Sequence, residues 1–206
     1  MKKVISVILT FCFLFNCFAV VSSAANEKPV VNIYLCARST ASPFGHLWIY
    51  IENISSKNQT VGAYNLKPNQ GVSLGTWGSK GADGWGVYYN VEAYSVGHYG
   101  VSGIISVKDG LTESELKEVS KEIIENNGWD PIVKNCMWFA FHIWNTCCEP
   151  FMFPFVFPFI GRLQMLAKCD ISRNLKMYNP KPEQVLKQIY GSVMMQASDK
   201  MLKKIM

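Results

Sequence analysis

The sequence predicts an α+β fold: an antiparallel sheet packed on a buried helix that starts at a cysteine. Three observations carry this. Between residues 30 and 107, short runs rich in Val, Ile, Tyr and Trp alternate with turn residues, the pattern of strands joined by tight connections. Residues 112–128 then switch to helical spacing. Finally, Asn135-Cys136-Met137-Trp138-Phe139-Ala140-Phe141-His142-Ile143-Trp144-Asn145 is apolar on nearly every side. A surface helix would show a polar face opposite its apolar stripe, so this run belongs inside a domain.

The chain opens with a leader. Lys2 and Lys3 precede an apolar run over residues 4–21, and Ser22-Ser23-Ala24-Ala25 offers small residues for a signal protease, which makes residues 1–25 a secretory signal peptide. An uncleaved anchor is the alternative, because about 18 apolar residues can just span a bilayer. Cleavage would place the product outside the cytoplasm or in the cell envelope. Residues 26–206 form a single domain, long enough for a sizeable core. Losing the leader removes two positive charges from a formal +5, and what remains is too small and scattered to argue for nucleic acid.

Residues 30–36 alternate as a first strand. His46-Leu47-Trp48-Ile49-Tyr50-Ile51 is a second, bulky on both faces and so covered on both. Ser55-Ser56-Lys57-Asn58 is a turn, and residues 59–65 return as the partner strand. Further strands are expected at 71–77, 86–94 and 101–107, with a glycine-rich loop at 79–86. Thr112 and Glu115 form a capping box for the amphipathic helix, which Asn126-Asn127-Gly128 ends.

After the central helix comes Pro150-Phe151-Met152-Phe153-Pro154-Phe155-Val156-Phe157-Pro158-Phe159-Ile160. Its recurring prolines forbid an ordinary helix, and it is too short to cross a bilayer. Packing inside the domain, a greasy lid over the site, and contact of Phe151 through Ile160 with a membrane surface all fit. Residues 162–169 read as helical, and a last helix is expected from Glu183, behind Pro180 and Pro182. The tail after Met194 reads as a frayed terminus or a basic amphipathic end.

Cys136 carries the chemistry. Asn135 is a natural helix N-cap, so Cys136 sits at the positive end of the helix dipole, where a thiolate is favoured. A thiolate nucleophile needs a base, and three histidines are available. His142 lies on the same helix but about 120° off the cysteine's side and reads as structural. His98, among glycines, reads as a loop residue. His46 opens a rigid strand and is the chosen base. If the turn is centred between Ser55 and Ser56, Asn65 faces His46 across the hairpin and orients its ring. A one-residue change of register would swap Asn65 for a neighbour, and Glu92, on the later aromatic strand, is the other candidate for that role. The Cys136 N–H is a candidate oxyanion donor.

Cys36, Cys136, Cys147, Cys148 and Cys169 remain after the leader. An odd number leaves at least one thiol free, taken here as Cys136. Outside the cytoplasm cysteines tend to pair; Cys147 or Cys148 could bond Cys169 or Cys36, and the sequence does not decide between them. No spacing matches a zinc site, and neither metal nor cofactor is expected.

A Gly-His pair opening a strand, a β-rich middle, then Asn-Cys-x-x-Phe-Ala opening a buried helix resembles the circularly permuted branch of the NlpC-type, papain-like cysteine hydrolases, which includes the lecithin:retinol acyltransferase-like proteins. Gly45-His46-Leu47-Trp48-Ile49 and Asn135-Cys136-Met137-Trp138-Phe139-Ala140 carry the likeness. In the ordinary members the cysteine helix precedes the histidine strand; here the order is reversed. The resemblance implies a papain-like fold, Cys136 as nucleophile, His46 as base, and a polar third residue on the strand after the histidine, which points to Asn65. The Pro-Phe segment has no counterpart in it. The expected function is a secreted cysteine peptidase or amidase cleaving an amide bond, with peptidoglycan peptide as substrate. A lipid acyl-ester hydrolase or acyltransferase using the same pair, and a non-catalytic envelope-binding domain, are the alternatives.

Overall fold

The computed structural model describes residues 27–38, 45–78, 84–155 and 157–198. The leader expected at 1–25, most of the glycine-rich loop and the tail end lie outside the described residues.

Nine strands and four α-helices are described: β1 Val31–Arg38, β2 His46–Asn53, β3 Gln59–Val61, β4 Tyr64–Leu66, β5 Gly71–Trp77, β6 Gly86–Tyr89, α1 Val91–Tyr99, β7 Ile104–Leu111, α2 Glu113–Glu125, α3 Cys136–Cys147, α4 Pro158–Lys168, β8 Leu186–Tyr190 and β9 Val193–Gln196. Seven strands form one sheet in the order β7-β1-β2-β5-β6-β8-β9, with every neighbouring pair antiparallel. The α+β class and the antiparallel sheet packed on the cysteine helix are therefore as the sequence indicates.

Strand alternation assigns the two faces. Ile33 and Leu35 of β1, Leu47, Ile49 and Ile51 of β2, and Val72 and Leu74 of β5 enter the main core with Phe139, Phe141, Ile143 and Trp144 of α3. Leu116, Val119 and Ile123 of α2 join them. The helix α3 is thus covered almost all round, as its missing polar face requires. The other face of the sheet carries Cys36, Trp48 and Tyr50 and, further along, Tyr88 with Val91 and Tyr94 of α1.

Four local expectations are corrected. The strand expected at 59–65 breaks into β3 and β4, because Gly62 turns the chain at a positive φ of 55°, and the two halves pair with each other as a separate hairpin. The strand expected at 86–94 stops at Tyr89. Asn90 takes a left-handed conformation with φ 68°, which Asn tolerates better than most residues, and Val91 starts α1. Tyr and Val suit strands in isolation, but packing of α1 on the sheet prevails. At the C-terminal end a single helical turn at Pro182–Gln184 replaces the expected helix, and the hairpin β8–β9 follows. The fourth concerns the Pro-Phe segment: its Phe rings lie outside the core. Met152 and Pro158 are buried, whereas Phe151, Phe153, Phe155, Phe157 and Phe159 are each about half exposed.

The capping box at α2 forms. Thr112 Oγ1 accepts from the Glu115 N–H at 3.3 Å, and the Glu115 carboxylate accepts from the Thr112 N–H at 2.9 Å.

Candidate active site

The N-terminus of α3 is built as expected. Asn135 Oδ1 accepts from the N–H groups of Met137 and Trp138, at 3.0 Å each. Cys136 is the first residue of the helix and keeps 9 % exposure, just enough to form part of a groove wall. Burial alone would raise its thiol pKa. The facing His46, through its charge and a hydrogen bond, reverses this, helped by the N–H groups of Leu47 and Met137, and the thiol pKa ends lowered. Cys136 thus has the electropositive setting that makes a thiolate.

His46 is the opposite case. Burial pulls its pKa down, but the Cys136 thiolate and then the Glu92 carboxylate push it up to about 10. The two opposed shifts describe one state, a thiolate–imidazolium pair. His46 Nε2 lies 2.9 Å from Glu92 Oε1, which leaves the other ring nitrogen, Nδ1, for the sulfur.

Glu92 is held from both sides. Its Oε1 also accepts from the Trp77 indole N–H at 2.8 Å, and its Oε2 accepts from the Ser73 hydroxyl at 2.9 Å. Ser73 in turn accepts from the Ala93 N–H at 3.1 Å, tying the strand to the first turn of α1. The carboxylate is only 4 % exposed and fully hydrogen-bonded, as a buried charge must be.

Strand geometry explains how these groups meet. The rungs between β2 and β5 end at Ile49–Leu74, although β2 reaches back to His46 and β5 runs on to Trp77. The strands part there. Cys136 approaches the opening from the α3 face and Glu92 from the α1 face, and His46 stands between them. Leu47 lies beyond the last rung to β5, and its N–H bonds the sulfur. Ser73, Gly75 and Trp77 share one face of β5 by alternation. A side chain at Gly75 would collide with Glu92 Oε1 and come within 3.2 Å of His46 Nε2, so only glycine leaves room for the carboxylate. The His46 ring also packs against Trp77, with centroids 4.4 Å apart, and stacks on Trp48 at 5.7 Å.

The assignment of Asn65 is corrected. Asn65 lies in the small hairpin opposite Thr60 and is exposed, while His46 pairs with Arg38 of β1. The turn at Gly62 removed the register on which the assignment rested. Glu92, weighed as the other candidate, holds the imidazole, but from the first turn of α1 rather than from a strand. His98 is helical, not in a loop, and stacks on Tyr94 at 5.0 Å. His142 is structural: Glu122 lies 2.7 Å from its Nε2, and its ring stacks on Trp138 at 4.8 Å. Ser73, Gly75 and Trp77 were not anticipated, although a glycine inside a strand is a readable sign of close approach.

A groove of about 360 Å³ opens beside Cys136, lined by Gly45, Trp129, Pro131, Ile132, Asn135, Cys136, Phe157 and Pro158. Apart from the Cys136 thiol itself, none of these side chains is ionisable. Asp130 shapes the Trp129 loop by accepting from the N–H groups of Ile132 and Val133, at 2.8 Å each.

No family model, curated protein or solved structure matches this chain. Its chemistry therefore has to be read from its own side chains. Among the described residues no cluster could hold a metal ion, and Cys36, Cys136, Cys147, Cys148 and Cys169 are all free thiols. None of the pairings that the sequence leaves open is formed among them. Cys36 lies on the opposite face of the sheet from Cys147, Cys148 and Cys169, and burial raises the thiol pKa of all four. Only Cys136 has its pKa lowered.

Proposed function

We propose that this protein is a papain-like cysteine hydrolase of the permuted NlpC type, working through an acyl-thioester at Cys136. The observation that carries the reading is the hydrogen-bonded line Cys136–His46–Glu92 at the edge of an open groove. This is the nucleophile–base–orienter geometry of covalent acyl transfer.

The thiolate of Cys136 attacks a substrate carbonyl carbon, and the carbonyl oxygen takes the electron pair. The Cys136 N–H, at the first position of α3 and ahead of the Met137 and Trp138 N–H groups that Asn135 caps, would receive that oxygen. His46 then gives its Nδ1 proton to the leaving nitrogen or oxygen as the bond to carbon breaks, leaving a thioester. A water molecule loses a proton to His46 and attacks the thioester, and the acid product departs as the thiolate returns. Glu92 keeps the ring oriented and stabilises the imidazolium throughout.

The groove lining bears on the substrate. Trp129, Pro131, Ile132, Phe157 and Pro158 favour an apolar acyl group beside the scissile bond, whereas cell-wall peptides carry several carboxylates. An acyl ester or thioester is therefore the better match, and amide cleavage in peptidoglycan peptide is the second reading, carried by the export leader.

The test compares medium-chain acyl esters and muropeptides as substrates for the wild type, Cys136→Ser and His46→Ala. Turnover of acyl esters should fall at least ~10³-fold in both variants. Muropeptide cleavage with inert esters would reverse the order of the two readings. Inertness of the wild type toward both, with no acid-range alkylation of Cys136, would leave a binding domain.

A further inference from the structure

We infer that the face beside the active-site groove is a docking surface for an anionic lipid bilayer. Helix α4 is apolar on both sides. Pro158, Gly161 and Met165 turn inward and are buried, and a side chain at Gly161 would press on Met137 and Leu47. Phe159, Leu163 and Leu166 lie on the outer side at helical spacing, exposed by 46 %, 54 % and 38 %. An outer face of this kind belongs against something other than water.

The preceding segment extends the surface. Phe151 and Phe153 pack edge to face with centroids 5.2 Å apart, and Phe157 and Phe159 lie at 6.2 Å. Gln164 of α4 clasps the backbone of Phe153 at both its N–H and its carbonyl, at 3.1 and 2.8 Å, so the segment is fastened to the helix. Ile132 and Val133, more than 60 % exposed, continue the surface across the groove, which Ile132 and Phe157 line together. Five half-exposed Phe rings alone leave on the order of 500 Å² of apolar area open, at the upper end of the largest patch on a typical monomer.

Charge selects the occupant. Between Pro150 and Cys169 the chain has Arg162 and Lys168 and no acid, and Glu149 and Asp170 flank that stretch at its two ends. Lys168 stands at the end of α4, with its Nζ 5.1 Å from the Phe153 ring centre and bonded to the Phe151 carbonyl at 3.0 Å. Lys134 is exposed beside Val133. The nearby Asp130 carboxylate accepts from the backbone N–H groups of Ile132 and Val133, which hold it ionised, so the cations on this face lie at Lys134, Arg162 and Lys168 rather than at the Asp130 turn. Cations seated on and beside the aromatic rings, with Glu149 and Asp170 held to the two ends of the stretch, suit an anionic interface. Among the described residues no helix is long and apolar enough to cross a membrane, and the proposed contact is interfacial, through exposed rings. The groove of Cys136 then opens against the lipid. That consequence rests on the hydrolase reading; the docking does not.

The test is co-sedimentation of the protein, with the expected leader at 1–25 removed so that it cannot itself bind lipid, with phosphatidylglycerol vesicles and with phosphatidylcholine vesicles. Strong binding to the anionic vesicles is expected, several-fold weaker for the neutral ones and weakened by salt. The double variant Phe153→Ser/Phe155→Ser, whose residues do not line the groove, should lose at least tenfold in partition. Its hydrolysis of a water-soluble short-chain ester should be unchanged, which also shows that it folds. Cys136→Ser should bind vesicles like the wild type, so a failed hydrolase reading leaves docking separately measurable. Absence of vesicle binding, or equal binding by the double variant, overturns the inference. So does a concentration-dependent dimer that the double variant abolishes while vesicles remain unbound, since the occupant would then be a second copy.

Discussion

Glu92→Gln isolates what the buried carboxylate does. The amide keeps the shape of the side chain and can keep its carbonyl oxygen toward His46 Nε2 and Trp77 Nε1, which lie 2.9 and 2.8 Å from Glu92 Oε1. Its NH2 group then meets the Ser73 oxygen, which can accept. The packing survives and the charge is lost. An opposite charge at hydrogen-bond distance shifts a pKa by about 1–3 units. His46 is buried, which lowers its pKa, and the Cys136 thiolate and Glu92 together raise it to about 10. Without the carboxylate the imidazolium therefore loses its proton at lower pH. The alkaline limb of kcat/KM should move down by about 1–3 units. Exchanging a charge-assisted bond for a neutral one costs about 1–2 kcal/mol, so the plateau should fall roughly 5- to 30-fold. Stopped-flow pH profiles on an acyl ester measure both effects. An alkaline limb that stays in place, or a variant as active as the wild type, would refute the assignment of Glu92 as the group that holds the ring.

Iodoacetamide should alkylate Cys136 on the acid side of the ordinary thiol range, because the thiol pKa is lowered by the facing His46. His46→Ala should move that reactivity to higher pH, and an unmoved profile would remove the ion pair. Asn65→Ala should leave kcat/KM within about twofold, since Asn65 is exposed in a separate hairpin; a large loss would restore it to the site. Asn135→Ala should lower stability to urea by about 1 kcal/mol through the lost helix cap, and no change in midpoint would show that the cap bonds are replaced by water. Gly75→Ala should cut activity far more than any other small substitution on β5, because the added methyl collides with Glu92 Oε1; full activity would mean that the carboxylate can retreat without cost.

Cys136 and His46 were legible because each opens an element with strong local signals. A capping Asn precedes an unbroken apolar run, and a Gly-His pair precedes alternating bulky residues. The third member was not legible to the same degree. Glu92 sits in Tyr-Asn-Val-Glu-Ala-Tyr, whose aromatic and branched residues read as strand. The left-handed Asn90, with its Nδ2 bonded to the Gln184 carbonyl at 2.9 Å, ends the strand through a contact 94 residues away that no local pattern shows. Asn65 failed for a similar reason, since one glycine turn at Gly62 broke the register that placed it. The β8–β9 hairpin carries two opposed local signals: Gly191-Ser192 between two short runs favours a hairpin, whereas Pro180 and Pro182 favour a helix start, and only one helical turn forms before β8.

The parting of β2 and β5 is what makes this constellation a site rather than three separately buried groups. Had the rungs continued past Ile49–Leu74, the sheet would stand between α3 and α1. Cys136 and Glu92 would then face different solvents. Because the strands separate, one imidazole can take a thiol on one ring nitrogen and a carboxylate on the other. The opening needs Gly75 for space and Trp77 to close its far side. It also makes the site sensitive to register. A slip of β2 by one residue would put Leu47 where His46 stands and reverse both faces of the strand, so the burial of Leu47, Ile49 and Ile51 in the main core holds the His46 ring in place as firmly as any hydrogen bond to it.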